Sequence, residues 1–235
     1  MLVAAAVCPC PPLLVPEIAS GAAGELDGAR AACYDAVAVL AAARPDRLLV
    51  VGPAAPAESG EFAAGSRGSL RGFGVALDVT LGAGEPGARP LPPSLTVGAW
   101  LLERTRWDAA PVAARALPED AKAADCLEAG RRLGAEEGRL ALLVLGDGSA
   151  CRTAKAPGAF DDRAEPFDRA VADALARADT AALADLDPVL ARQLHVAGRP
   201  AWQLLAGAAE GADLDGRLLH DEAPYGVAYL VATWT

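Results

Sequence analysis

The chain contains very little lysine and histidine. Among 235 residues, Lys122 and Lys155 are the only lysines, and His195 and His220 are the only histidines. The arginines are scattered among 31 acidic residues, and the formal net charge is −10. Nucleic-acid binding needs clustered basic side chains to contact phosphates, so this composition argues against a nucleic-acid partner. The shortage of histidine also leaves few positions for metal binding or general-base chemistry.

Long apolar segments are absent as well. No run of about twenty apolar residues without charges occurs, which a membrane-spanning helix would need. The N-terminus, MLVAAAVCPCPP, has no basic residue before its short apolar run and does not look like a secretory signal. We therefore expect a soluble, cytoplasmic protein without a membrane partner. In a reducing compartment the five cysteines are expected as free thiols; they are Cys8, Cys10, Cys33, Cys126 and Cys151.

Short apolar runs alternate with segments of helical spacing. Residues 2–7 and 47–53 predict buried strands on either side of a helix over 25–43, and residues 140–149 contain the clearest buried strand. This order is typical of an α/β sheet. Further predicted strands cover 74–81, 111–117 and 223–234, and further predicted helices cover 94–105, 119–135, 160–179, 187–194 and 200–209.

Three loops follow predicted strands, at the positions where ligands usually bind to α/β sheets. They read CPCPP (8–12), GPAAP (52–56) and GDGSACR (146–152). Cys8 and Cys10 could hold a soft metal or act in redox chemistry, because residues two apart in an extended loop point the same way. A lone pair lacks the second pair of a structural zinc site, which favours inert buried thiols.

The GDGS turn could cradle a phosphate, but it has neither the lysine of a P-loop nor the spacing of a dinucleotide fingerprint. Asp147 is more simply explained as ordering the turn, and Ser149 has no evident histidine partner. His195 is expected near the end of a helix. His220 and Glu222 are expected in a solvated loop before the last strand. The four tryptophans are expected in the core or half-buried.

Four segments, in this order, resemble the catalytic B subunit of class III extradiol ring-cleavage dioxygenases, a superfamily that includes the Memo-like proteins. CPCPPLLVPEI is similar to the opening P-H-P-P segment of that family, and LLVVGPAAP to its S-P-H-G loop. LGDGSACRTAKAPGAFDDRAEPFD resembles the G-D-L-S-H-R segment, and HDEAPYGVAYLVATW resembles Y-E-[AG]-P-F-G-V-G-Y-L-V-A. The resemblance implies one domain over residues 1–235, with a central mixed, largely parallel sheet flanked by helices.

Active members of this family hold iron(II) with two histidines and a carboxylate, and another histidine moves protons. In this chain, Cys10 and Ala54 stand at the two ligand histidines and Ala150 at the proton-transfer histidine. Glu222 stands at the carboxylate position. The family pocket would be completed by four neighbours: Pro11, Asp147, Ser149 and Cys151.

Alanine has no ligand atom, so the resemblance predicts a ligand-binding or regulatory homologue that needs no cofactor, iron(II) included. A small molecule is the expected partner. Two alternatives stay open. In one, Cys10, Cys151 and Glu222 hold a different metal, or Cys10 acts as a nucleophile. In the other, a different residue restores iron binding and the protein is a dioxygenase after all.

Overall fold

The computed structural model describes residues 1–235 and shows a single α/β domain. A central, mostly parallel sheet of seven strands is flanked by helices on both faces. The strands are β1 (Leu2–Cys8), β2 (Arg47–Ala54), β3 (Gly60–Phe62), β4 (Arg67–Ser69), β5 (Asp78–Thr80), β6 (Val112–Pro118), β7 (Leu140–Leu145), β8 (Gly216–Glu222) and β9 (Tyr229–Trp234). The helices are α1 (Pro16–Ala19), α2 (Asp27–Ala42), α3 (Pro93–Arg104), α4 (Ala123–Ala135), α5 (Ala164–Ala176), α6 (Thr180–Ala184), α7 (Pro188–Gln193) and α8 (Arg199–Ala208).

The strand order of the main sheet is β3-β6-β2-β7-β1-β9-β8. The four central strands β6, β2, β7 and β1 are parallel, whereas β9 runs antiparallel to β1, and β3 antiparallel to β6. All six residues of β7 are buried, because β7 lies between two parallel strands and both of its faces are covered. Strands β4 and β5 form a separate two-stranded sheet. No helix is both long enough and apolar enough to cross a lipid bilayer.

Two apolar cores lie on opposite faces of the sheet. The front core contains residues of α2 and α3 together with Ala4, Ala6 and Cys8 of β1. The back core contains residues of α5 and α8 together with Ala5 and Val7. This division follows from the alternation of side chains along a strand.

Most predicted elements are observed within a few residues of their predicted bounds, but three regions differ. The predicted strand over 223–234 begins only at Tyr229. Residues 216–222, predicted as a loop around His220 and Glu222, form the edge strand β8. Strand β8 pairs only with β9. Its other edge faces solvent, which suits a segment with polar and charged side chains. The predicted strand over 74–81 shortens to Asp78–Thr80 and follows a 3₁₀ turn at Arg71–Phe73.

Candidate functional site

The candidate site lies at the carboxyl edge of the parallel strands. The chain leaves β1 and β2 toward the front helices α2 and α3, but leaves β6 and β7 toward the back helices α4 and α5. Because front and back connections alternate along the order β6-β2-β7-β1, crevices form between the ends of these strands. Such topological switch points are where α/β proteins bind ligands. The loops after all four strands therefore share one candidate region.

The proline-rich loop after β1 is joined to the loop after β7 by one polar contact. The backbone N–H of Cys10 donates a hydrogen bond to Oδ1 of Asp147 at 2.8 Å. Cys10 is 7% exposed and belongs to the front core, as does Cys8, so the spacing of two does place both thiols on one face. Pro11 is buried and precedes a 3₁₀ turn over Pro12–Leu14. This hydrogen bond places Cys10 against the GDGSAC loop.

The thiol of Cys10 is held in its protonated form. Burial raises its pKa well above the usual value, and the nearby acidic groups Asp147, Cys8 and Glu119 raise the pKa further. A third thiol, that of Cys33 on α2, lies within hydrogen-bonding reach of Cys8, and burial raises its pKa as well. Nucleophilic attack and metal binding both need the thiolate, so this environment disfavours either role for Cys10.

Asp147 is the titratable group with the most unusual environment in this region. Burial raises its pKa to about 7, although the hydrogen bond from the Cys10 amide opposes that rise. Burial raises the pKa of Tyr229 on β9, and the nearby negative charge of Asp147 raises it further. Asp147 therefore orders the turn, as expected from the sequence, and holds two loops together across β1 and β7.

Ser149 completes a buried hydrogen-bond network rather than a nucleophile and base pair. Its amide and hydroxyl donate to the two carboxylate oxygens of Asp168, at 2.8 and 2.6 Å. Arg152 adds an ion pair to Asp168 at 3.3 Å. Burial raises the pKa of Asp168, and the bonds from Ser149 and Arg152 counteract this rise. The network fixes the start of the loop against α5.

Ala54 and Ala150 occupy the positions of the expected histidines. Ala54 is 4% exposed at the end of β2, and its carbonyl accepts the amide of Glu119 at 3.1 Å. The amide of Ala150 donates to the carbonyl of Leu194 at 2.9 Å. Both residues lie on the switch-point edge, but neither provides a side-chain donor atom.

Cys151 is not brought together with Cys10, and Glu222 lies on β8, two strands away from β1. Cys151 lies in the back core, on the other face of the sheet, and its thiol contacts the carbonyl of Leu194 at 3.5 Å. The side chain of Glu222 is 63% exposed on β8, with Nε2 of His220 at 3.9 Å from its carboxylate. Strand β9 separates β8 from β1.

The residues at the family positions do not fit an iron(II) centre. Two of the three histidine positions carry a methyl group, and the thiol at the third is buried and protonated. No group of three or more histidine, cysteine, aspartate or glutamate side chains has the geometry to hold a metal ion. The same holds for the set Cys10, Cys151 and Glu222 that was considered for another metal.

Three residues near the candidate site were missed by the sequence reasoning. They are Cys33, Glu119 and Tyr229, which approach Cys10 from α2, from the end of β6 and from β9. Glu119 could have been noticed because it lies at the start of a predicted helix, two residues after a predicted strand ends. The other two lie within a helix and a strand, where only the packing of the elements brings them to Cys10.

An open cleft of about 450 Å³ begins beside Glu119. We name it the α7–α8 cleft. Its walls come from the loop after β6, from α7, and from the start of α8; the charged or ionisable residues that line it are Glu119, Asp120, Arg192, His195 and Arg199. His195 follows the end of α7 with φ +55°, so its expected place near a helix end is confirmed. Neither Cys10 nor Ala54 lines this cleft.

Comparison with known proteins shows the fold alone. No protein-family model matches the chain, and no curated protein matches its sequence. The crystal structure of uncharacterized protein JW3007 from Escherichia coli K12 is similar, with a TM-score of 0.53 and 15% sequence identity over 99% of each chain. The two proteins therefore share one α/β architecture from end to end.

Proposed function

We propose that the protein is a homologue of the class III extradiol dioxygenase B subunit that no longer cleaves rings and instead binds a small molecule in a ligand-binding or regulatory role. The four segments that resemble the family fall in the family's order and are distributed from Cys8 to Trp234. Five buried free thiols support a reducing, cytoplasmic location.

One observation carries the proposal of a non-catalytic role. Cys10, Ala54 and Ala150 stand at the three histidine positions of the family motifs and follow or end the strands β1, β2 and β7. An iron(II) centre of this type needs two imidazoles and a carboxylate, with open positions for the diol and O₂. A methyl group at Ala54 cannot bind the ion, and a methyl group at Ala150 cannot transfer a proton.

A direct test combines metal content with oxygen consumption. The purified protein is loaded anaerobically with iron(II), desalted and assayed for bound iron, and O₂ uptake is followed with a panel of catechols. We expect iron at the level of a non-specific acidic protein and no diol-dependent O₂ uptake. Stoichiometric iron together with diol-dependent uptake would show that the protein is a dioxygenase.

Variants test whether side chains at positions 10 and 54 point into a common metal site, as the resemblance implies. Cys10→His combined with Ala54→His should introduce measurable iron(II) binding, because the strand ends hold the backbone at both positions rigid. Ring cleavage should additionally need Ala150→His to transfer protons. Negligible binding in both the parent and the double variant would contradict the assignment of these positions to the family's ligands.

A further inference from the structure

The α7–α8 cleft is a polar site that the family resemblance does not use. It lies outside the carboxyl end of β6, beside the crevice between β6 and β2. Its volume of about 450 Å³ is within the range of small-molecule sites, which is roughly 300–1,000 Å³. The position and the size of the cleft are both those of a small-molecule site, and its lining residues indicate what kind of ligand would fit.

The charges on the two walls of the cleft do not neutralise each other. Arg192 and His195, at the end of α7, form no hydrogen bond or ion pair with any acidic side chain. Glu119 and Asp120, in the loop after β6, likewise have free carboxylates. Because long charged side chains usually find a partner when one is within reach, a cleft with free positive and negative walls suits a ligand that bridges them.

A buried positive charge lies between these walls. Arg199 is 3% exposed, and its guanidinium donates to the side-chain oxygen of Gln203 and to the carbonyls of Glu119 and Ala121. All three acceptors are neutral, and no carboxylate lies within ion-pair distance of Arg199. Burial lowers its pKa. The charge of Asp120 acts on Arg199 without forming an ion pair with it. Because a buried charge without a direct ion-pair partner is costly, an anion beside Arg199 would be stabilised.

We propose that the α7–α8 cleft binds a small carboxylate whose other end carries a hydrogen-bond donor. Arg192 and His195 hold the carboxylate, close to the buried charge of Arg199. Glu119 and Asp120 accept a hydrogen bond from the donor end, and they repel a second carboxylate there. The inference rests on the proposed function, because it names the ligand class of a protein taken to bind rather than to cleave.

Three ligands with the same three-carbon chain separate the contributions of the two walls. β-Alanine carries an ammonium at the far end, 3-hydroxypropionate carries a hydroxyl, and propionate carries no donor. We expect the affinity to fall in that order, since a charged donor binds carboxylates more strongly than a neutral one. The difference between β-alanine and propionate should be about tenfold, the equivalent of about 1.4 kcal/mol.

The two histidines allow binding to be located within the protein itself. His195 lines the cleft, whereas His220 lies on β8, the edge strand on the far side of β1 and β9 from β6, and does not line the cleft. In a titration followed by the NMR signals of the imidazole rings, we expect saturable shifts of His195 and none of His220. A signal that moves equally for both would mean non-specific binding and would contradict the proposal.

Single variants test each wall. Arg192→Gln should weaken all three ligands by about tenfold, whereas Glu119→Gln, which leaves Asp120 in place, should reduce the advantage of β-alanine over propionate and leave propionate unchanged. Arg132→Gln, an exposed arginine on α4 outside the cleft, is the matched control and should change nothing. If none of the ligands binds saturably, or if Arg192→Gln leaves binding unchanged, the inference is wrong.

The outcome is distinguishable from failure of the proposed function. An iron-free protein that binds none of the three ligands would overturn the inference about the cleft and leave the proposed non-catalytic role in place. A protein with stoichiometric iron and diol-dependent O₂ uptake would overturn the proposed function, whether or not His195 responds to β-alanine.

Discussion

Two neighbouring regions of the same sheet edge differ sharply in character. The region after β1 and β2 is closed and mostly apolar, with Cys10 and Ala54 buried in the front core. The α7–α8 cleft, one strand further along, is open and carries unneutralised charges of both signs. Glu119 connects them, because its amide bonds to Ala54 and its charge acts on Cys10. Residues without metal-ligand atoms and closed packing thus occur in one region, and an open polar cleft lies beside it.

The largest expected effect comes from Asp147 in the closed region, whose buried carboxyl should make the stability of the protein depend on pH. Its pKa is about 7 in the folded protein, against 3.8 for an ordinary aspartate. The folded state therefore binds a proton that the unfolded chain has released, and the free energy of unfolding falls as the pH rises from about 4 to about 7. Asp147→Asn should remove this dependence and raise the stability at pH 8 by roughly 2–4 kcal/mol.

Chemical denaturation at a series of pH values measures this difference. The substitution keeps an oxygen that can accept the hydrogen bond from the Cys10 amide, so the loop contact itself is retained. Parallel pH profiles for the parent protein and Asp147→Asn would show that Asp147 ionises normally and that the region is open to water.

Replacing an alanine with a larger residue, once in the closed region and once in the cleft, compares the packing of the two regions directly. Ala54→His places an imidazole in a fully packed front core and should lower the free energy of unfolding by about 1–3 kcal/mol. Ala197→His makes the same change at a position that lines the open cleft, and it should change stability by no more than about 0.5 kcal/mol. Equal costs for the two variants, measured by urea denaturation, would contradict the contrast between the regions.

Two serine–aspartate hydrogen bonds of equal length, one buried and one exposed, test how much burial increases the contribution of such a bond to stability. Ser149 Oγ donates to Asp168 in the protein interior at 2.6 Å, and Ser69 Oγ donates to Asp78 on the surface at 2.6 Å. Ser149→Ala should cost about 1–3 kcal/mol, because a buried carboxylate loses a partner.

Ser69→Ala removes the exposed counterpart and should change stability by less than about 0.5 kcal/mol. The two variants are compared by thermal and urea denaturation at the same pH. Similar losses in both would mean that burial does not determine the strength of the Ser149 contact.

The smallest effect is expected in the cleft. Arg192 is exposed and makes no ion pair, so Arg192→Gln should leave the free energy of unfolding within about 0.5 kcal/mol of the parent value. A loss of more than that would show that Arg192 supports the fold. The ligand-binding comparison would then use Arg192→Lys instead of Arg192→Gln.

The sequence predicted the central architecture well. The strands β1, β2 and β7 and the helices α2, α3 and α5 are observed close to the predicted bounds, because their apolar spacing is strong and proline or glycine bounds several of them. The strand β8 was missed because it is polar and only its pairing with β9 makes it a strand.

What the sequence by itself determined are local properties and the residue types at each motif position. These include the buried strands, the helical segments, the free thiols, and the presence of cysteine or alanine where histidine would be needed. The tertiary structure decided which of these residues meet. It placed Cys10 and Cys151 in opposite cores, left Glu222 exposed on an edge strand, and brought Glu119 next to Cys10. Local patterns depend on neighbours within a few residues, whereas such contacts depend on the strand order and on the face to which each connection crosses.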